Sequence, residues 1–172
     1  MVTYRAPRPD EAAALAALGR DTFVETFGHL YRAEDLSLFL DSSYAPAAFA
    51  AQLASDRYLF RVAEAAGQLV GYCKLGLDVS LDYDAGDARV IELKQLYVFA
   101  AHHGDGVGQT LMDWAIAEAE ARQADALLLS VWSENVRGQR FYQRNGFHWI
   151  ADTYFMVGNH RDDEYLYLRP MR

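Results

Sequence analysis

RVIELKQLYVFAAHHGDGVGQ, Arg89 to Gln109, is the stretch whose reading decides the fold. It reads as a buried strand, a glycine-rich turn and the start of a helix. Gly104, Gly106 and Gly108 alternate with Asp105 and Val107, directly before the helical run LMDWAIAEAEA. Glycine lets bare backbone approach a ligand. The helix that follows turns unpaired N–H groups and the positive end of its dipole toward that turn. Together these make a seat for a phosphate or pyrophosphate. The bland alternative is a plain strand-to-helix turn. The dinucleotide fingerprint GxGxxG is absent, because position 109 is Gln, and without Lys-Ser/Thr the turn is no P-loop.

The strand carries a second signal. From Val90 to Lys94 the residues alternate, with Ile91 and Leu93 on one face and Val90, Glu92 and Lys94 on the other. After Gln95 the apolar positions are Leu96 and Val98, so the inward phase slips by one. A β-bulge produces such a slip. It would splay the strand from its neighbour and leave backbone N–H groups free for a ligand.

Outward toward the C-terminus, Ala126 to Val131 is an apolar run that fits a buried strand beside the central one. Asn135 to Asn145 reads as a helix, with Gly146 as its C-terminal cap. Phe147 to Val157 and Glu164 to Arg169 read as two last strands, joined by a polar loop from Gly158 to Asp163. Toward the N-terminus, Asp82 to Asp87 is an acidic loop. Arg57 to Glu64 and Leu69 to Val79 form a hairpin about Ala66-Gly67. Glu34 to Leu40 and Pro46 to Ala54 are short helices. Before them Asp10 caps a helix carrying Leu15, Leu18 and Thr22, which Gly28 ends. Val2 to Ala6 is a short first strand. The order βααα-ββ-βα-βα-ββ predicts a mixed α/β fold, a twisted mixed sheet of about seven strands flanked by helices. Residues 1–172 suit a single domain.

The net charge is −8, which argues against a nucleic-acid partner and suits a cationic substrate. Cys73 is the only cysteine, so no internal disulfide forms. No apolar run is long enough to cross a bilayer and no signal core begins the chain, so the expectation is a cytoplasmic protein. His102 and His103 are adjacent and do not share a face, and no His/Cys cluster points to a metal.

Taken in order, ELKQLYV, HHGDGVGQTLM and LLLSVWSENVRGQRFYQRNGF resemble the Gcn5-related N-acetyltransferase (GNAT) superfamily. The resemblance implies that acetyl-CoA is the cosubstrate. The family motif Gln/Arg-x-x-Gly-x-Gly/Ala falls on His103, Gly104, Asp105, Gly106, Val107 and Gly108, with Gln109 following. His103 departs from the usual Arg or Gln, and Asp105 puts a carboxylate near the pyrophosphate. The resemblance further implies that Leu96 pairs its backbone with pantetheine and that Val98 donates its N–H to the thioester carbonyl. Asn135 and Tyr142, seven residues apart, face one side of their helix. In the family such residues lie near pantetheine and the cofactor sulfur, which makes Tyr142 the candidate general acid. Glu92 is the candidate base, working through a water. The structural alternatives are a packing tyrosine and a strand carboxylate paired with Lys94 or Arg89. Arg144 could reach a cofactor phosphate or lie on a solvated helix face.

TFVETFGHLY and DTYFMVGNHRDDEYLYL resemble more loosely the PaiA-like polyamine acetyltransferases. The implied acceptor is a small primary amine, with a polyamine such as spermidine first. A protein N-terminal or lysine acetyltransferase and a non-catalytic acyl-CoA-binding module remain alternatives. The acceptor's identity and the oligomeric state, a homodimer included, are left open by the sequence.

Overall fold

The computed structural model describes all residues, Met1–Arg172. The expected element order is the observed one. Strand β1 (Val2–Arg5) leads to helices α1 (Ala12–Phe27), α2 (Ala33–Ser43) and α3 (Pro46–Leu53), then strands β2 (Tyr58–Ala65), β3 (Gln68–Gly76) and β4 (Val90–Val98). Helix α4 (Val107–Ala121), strand β5 (Ala126–Trp132), helix α5 (Val136–Arg144) and strands β6 (His148–Val157) and β7 (His160–Pro170) complete it. One seven-stranded sheet runs in the order β1-β2-β3-β4-β5-β7-β6. All neighbours are antiparallel except β4 and β5.

Both faces of the sheet are covered, and alternation along the strands decides which side chains go where. Val62 and Tyr72 face α1 and α3, with Leu15, Leu18, Phe23, Phe49 and Phe60. Ala63, Cys73, Leu75, Ile91 and Leu93 face α4, whose Val107, Leu111, Met112, Ala115 and Ala119 recur at helical spacing and are almost fully buried. Leu111, the fully buried leucine of this stripe, contributes roughly 1.5–3 kcal/mol.

Three local expectations change. Asp10 does not cap α1; it lies in a short 3-10 turn, Pro9–Glu11, and Glu11 takes the N-cap position, held by Arg5 and Arg8. The strand expected to run to Val79 ends at Gly76. The loop expected over 158–163 shrinks to a tight turn, because His160, Arg161, Asp162 and Asp163 pair with Val157, Met156, Phe155 and Tyr154. Charged side chains hid that strand, since only one of its faces is buried. Gly158 makes the turn possible: its φ is +57°, and a Cβ there would stand 2.6 Å from Asp35 Cα.

Candidate active site

The site begins at the bulge. Strand β3 pairs Lys74 with Gln95 but Leu75 with Leu93, so Lys94 is the extra residue on β4. The bulge lies one residue earlier than the phase slip in the sequence. Beyond it β4 leaves its parallel neighbour: only Val90, Ile91 and Glu92 pair with β5, at Ala126, Leu127 and Leu128. Strand β5 continues against β7 as far as Trp132. The amides of β4 that point into this gap have no ladder partner, which a buried backbone requires from something else.

A cavity of about 470 Å³ opens on the α4/α5 side of the gap. Gly104 (φ +91°) and Gly106 (φ +80°) form the turn at its mouth, and Gly106 is the N-cap of α4. A Cβ at either glycine would meet nothing within 4 Å, so the space in front of the turn is open. Leu96, Val98 and Phe141 give the cavity an apolar wall, and Arg137 and Arg144 a cationic rim. This set fits a phosphorylated ligand with an apolar arm: helix amides and guanidinium groups for phosphate, bare strand for the arm.

Residue by residue, the expected cofactor positions divide. His103, Gly104, Gly106, Gly108, Gln109, Leu96 and Val98 all line the cavity. Val107 does not; its side chain is buried in the core, leaving only its amide at the first turn of α4. Asp105 does not line it either, and its carboxylate turns to His102 Nδ1 at 3.6 Å. The side chain of Gln109 ties α4 to the end of α5 by donating to Asn145 Oδ1 at 2.8 Å. His103 Nε2 lies 2.8 Å from the Val98 carbonyl oxygen and Nδ1 lies 2.9 Å from Arg137 Nη1. With Nε2–H donating to the carbonyl, Nδ1 accepts from the guanidinium. The Arg137 guanidinium thus stands beside the position where the family motif has Gln or Arg, and the sequence reading missed it because it lies on another helix.

A second cavity, about 460 Å³, opens on the α1–α3 side. Phe27, Leu96, Tyr97, Asn135 and Tyr142 line both cavities, so the two meet there. Asn135 is not within the helix as expected but caps it, its Oδ1 accepting from Gly138 N at 2.9 Å. A Cβ at residue 138 would stand 2.6 Å from Asn135 Nδ2, so the cap needs that glycine. Burial, then the neighbouring Tyr97, Cys73 and Glu164, push the Tyr142 hydroxyl well above its ordinary pKa, so it keeps its proton.

The second cavity also holds the charged groups. Glu92 is 5% exposed and lines it, but its carboxylate accepts from Ser80 N at 2.7 Å and from Ser80 Oγ, and pairs with Lys94. Asp162 accepts from Tyr31 Oη and pairs with His160. Glu164 is different: burial, and secondarily Asp162, raise its pKa above the usual carboxylate range, although Ser130 opposes this. Glu164 lines this cavity together with Tyr31, Tyr97 and Tyr142, and its charge acts on all three hydroxyls. Sequence reading missed Glu164 because it took the residues before it for a loop. Asp162, Glu164 and Leu166, at every second position, were the available signal. Cys73 is fully buried in the core, where desolvation keeps its thiol protonated. A third cavity, with Asp87, Arg89, Asp125 and Arg172 among its lining, lies at the start of β4, away from the strand ends where open α/β sheets bind ligands.

Residues 20–147 match the acetyltransferase (GNAT) family. An uncharacterized N-acetyltransferase of Mycobacterium tuberculosis is 31% identical over 161 residues, 94% of this chain and 98% of the relative. The aminoalkylphosphonate N-acetyltransferase of Salmonella typhimurium is 35% identical over 103 residues, 58% of this chain and 62% of the relative. The crystal structure of the PaiA N-acetyltransferase from Thermoplasma acidophilum in complex with coenzyme A superposes with a TM-score of 0.81 at 19% identity, covering 99% of each chain. No helix is long and apolar enough to cross a membrane.

Proposed function

This chain belongs to the GNAT family and is an acetyl-CoA-dependent N-acetyltransferase, and from that premise we propose that it acetylates a small primary amine directly, in a ternary complex held by its two cavities. The observation that carries this reading is their meeting at Phe27, Leu96, Tyr97, Asn135 and Tyr142. Acetyl-CoA supplies the activated acyl group. The amides at the start of α4 and Arg137 hold its phosphates, and the bare edge of β4 at Leu96 and Val98 holds its arm. The Val98 N–H stabilises charge developing on the thioester oxygen.

The amine attacks only when neutral, so a group in the second cavity takes its proton. Glu92 was the expected base. Its carboxylate is already engaged by Ser80 and Lys94, so we assign the proton to Glu164, directly or through a water. Glu92 then positions Lys94 and the loop at Ser80. Tyr142, kept protonated by burial, donates to the departing thiolate. Phe23, Phe27, Tyr31 and Phe39 wall the cavity, which suits a small molecule better than a peptide chain.

For the acceptor, the net charge of −8, with Asp162 and Glu164 in the cavity, supports a polyamine such as spermidine. A second reading has its own observation: Lys74, which no carboxylate contacts, lines the same cavity, and this favours an amine that also carries an acid. Release of free thiol from acetyl-CoA across an amine panel tests the function. Turnover of any small primary amine is expected. Coenzyme A binding without turnover of any amine or peptide would leave only an acyl-CoA-binding module.

A further inference from the structure

The second cavity contains one buried cation with no carboxylate in ion-pair contact. Lys74 is 5% exposed and lines the cavity from β3. Its Nζ donates to Gln52 Oε1 at 3.1 Å and lies 4.9 Å from the ring centroid of Phe49 and 6.0 Å from that of Phe60. No carboxylate lies within ion-pair distance of it; Glu92, whose charge favours the ammonium from further off, accepts from Ser80 and pairs with Lys94. An ammonium has three donors, and a buried one costs several kcal/mol unless it is paired. Ring faces and one amide oxygen offset only part of that, since a cation–π contact contributes about 0.5–2 kcal/mol. A methionine would fill the same space between Phe49 and Phe60 without the cost. The position therefore asks for an anion that arrives with a ligand.

Glu164 is the complementary case, a carboxylate of the same cavity with no cation on it. The sheet places the two on opposite sides of the gap between β4 and β5. Lys74 is one strand out from Gln95 of β4, and Glu164 is one strand out from Trp132 of β5. Each strand step is about 4.8 Å. A ligand spanning the gap meets a positive charge toward one end and a negative charge toward the other, and Tyr142 lines the same cavity at its junction with the first.

We propose that the acceptor is amphoteric, a small primary amine bearing a carboxylate or phosphonate, and that Lys74 binds its acid group while the amine faces Glu164. This rests on the cavity being the acceptor site and narrows the substrate class. Burial and the neighbouring Lys94 hold the Lys74 ammonium down to about 8, although Glu92 opposes this, and an arriving anion would restore it. The same ammonium repels the second and third charges of a polyamine, so spermidine ranks below an amino acid of similar length.

The test is thiol release by the full chain with acetyl-CoA and four sets of acceptors. These are ω-amino carboxylates of increasing length, aminoalkylphosphonates of matched length, the corresponding alkylamines, and spermidine. One acid-bearing set leads, with an optimum chain length, and the set that leads names the acid. Lys74→Met lowers kcat/KM for that set roughly 30-fold, chiefly through KM, and brings it within a few-fold of the alkylamines. Lys74→Arg restores part of the preference. If Lys74→Met does not fold, the wild-type chain with coenzyme A is probed by thermal shift with butyrate and methylphosphonate, and one of them stabilises it. Alkylamines or spermidine leading on the wild-type chain, a fall in kcat on all amines alike in Lys74→Met, or no shift with either anion overturns the proposal. Silence toward all four sets overturns the small-amine reading of the cavity as well, which separates the two failures.

Discussion

Glu92 Oε1 lies 3.2 Å from Lys94 Nζ, two residues further along the same strand. Alternation puts both on one face, and Ser80 closes the group from the loop opposite, receiving Lys94 Nζ at 2.8 Å and giving its own N–H to Glu92. The two charges cancel inside the site. Glu164 and Lys74 are left as the cavity charges without an ion partner, and the predictions turn on that.

Glu164→Gln lowers kcat/KM by ~10²-fold or more, the usual contribution of a general base. Glu92→Gln leaves more activity but loosens Lys94, destabilising the fold by about 1–3 kcal/mol. In the wild-type chain the rate falls as pH drops through the raised folded pKa of Glu164. The stability signs follow: a raised carboxylate pKa penalises folding above that pKa, and the penalty vanishes below the unfolded value. Glu164→Gln therefore raises Tm at neutral pH and not in acid. Rate profiles and melting curves over pH check both. A much larger rate loss in Glu92→Gln than in Glu164→Gln returns the base to Glu92.

Tyr142→Phe lowers kcat roughly 10²-fold and leaves the coenzyme A thermal shift nearly intact, because the hydroxyl acts only as the thiolate leaves. Steady-state kinetics beside a binding measurement decide it. An unchanged kcat at neutral pH removes Tyr142 from the reaction.

Coenzyme A at about 100 times its dissociation constant adds ~2.7 kcal/mol to the wild-type fold. Gly106→Val loses that gain, since a β-branched residue at φ +80° is strained and its side chain enters the open space before the turn. Arg137→Ala weakens binding without touching Tm of the free chain by more than a degree or two, for Arg137 is exposed. Calorimetric titration measures both. Wild-type affinity in Gly106→Val would move the phosphate site elsewhere.

Lys74→Met raises stability below about pH 8, where the wild-type chain must bury a charge. The folded pKa is depressed, so between about 8 and the ordinary lysine value of 10.5 the unfolded chain binds more protons and wild-type stability climbs with pH. The advantage of the variant shrinks across that window. Melting temperatures from pH 6 to 10.5, without ligand, read this directly. A variant less stable than wild type at pH 7 means that Lys74 is held by the fold itself.

The sequence determined the order of elements, the bulge and the glycine turn. All of these are written in local periodicity and in residues whose backbone preferences are strong: the 2-residue phase of β4, the 3.6-residue stripe of α4, and glycines at positive φ. That Tyr142 and Glu92 line a cavity was also legible, because each lies on a recognisable element beside a motif, but the roles expected of them were not.

What the tertiary structure alone decided is which charges keep each other company. Glu164 on β7, Lys74 on β3 and Arg137 on α5 reach the site from strands and a helix far apart in the chain, and Glu92 meets its partners only once the bulge and the loop at Ser80 are in place. Periodicity assigns a residue to a face but not to a neighbour. The protonation and the partner of a buried ionisable group depend on that neighbour through burial and charges a few ångströms away, and those distances exist only in the folded chain.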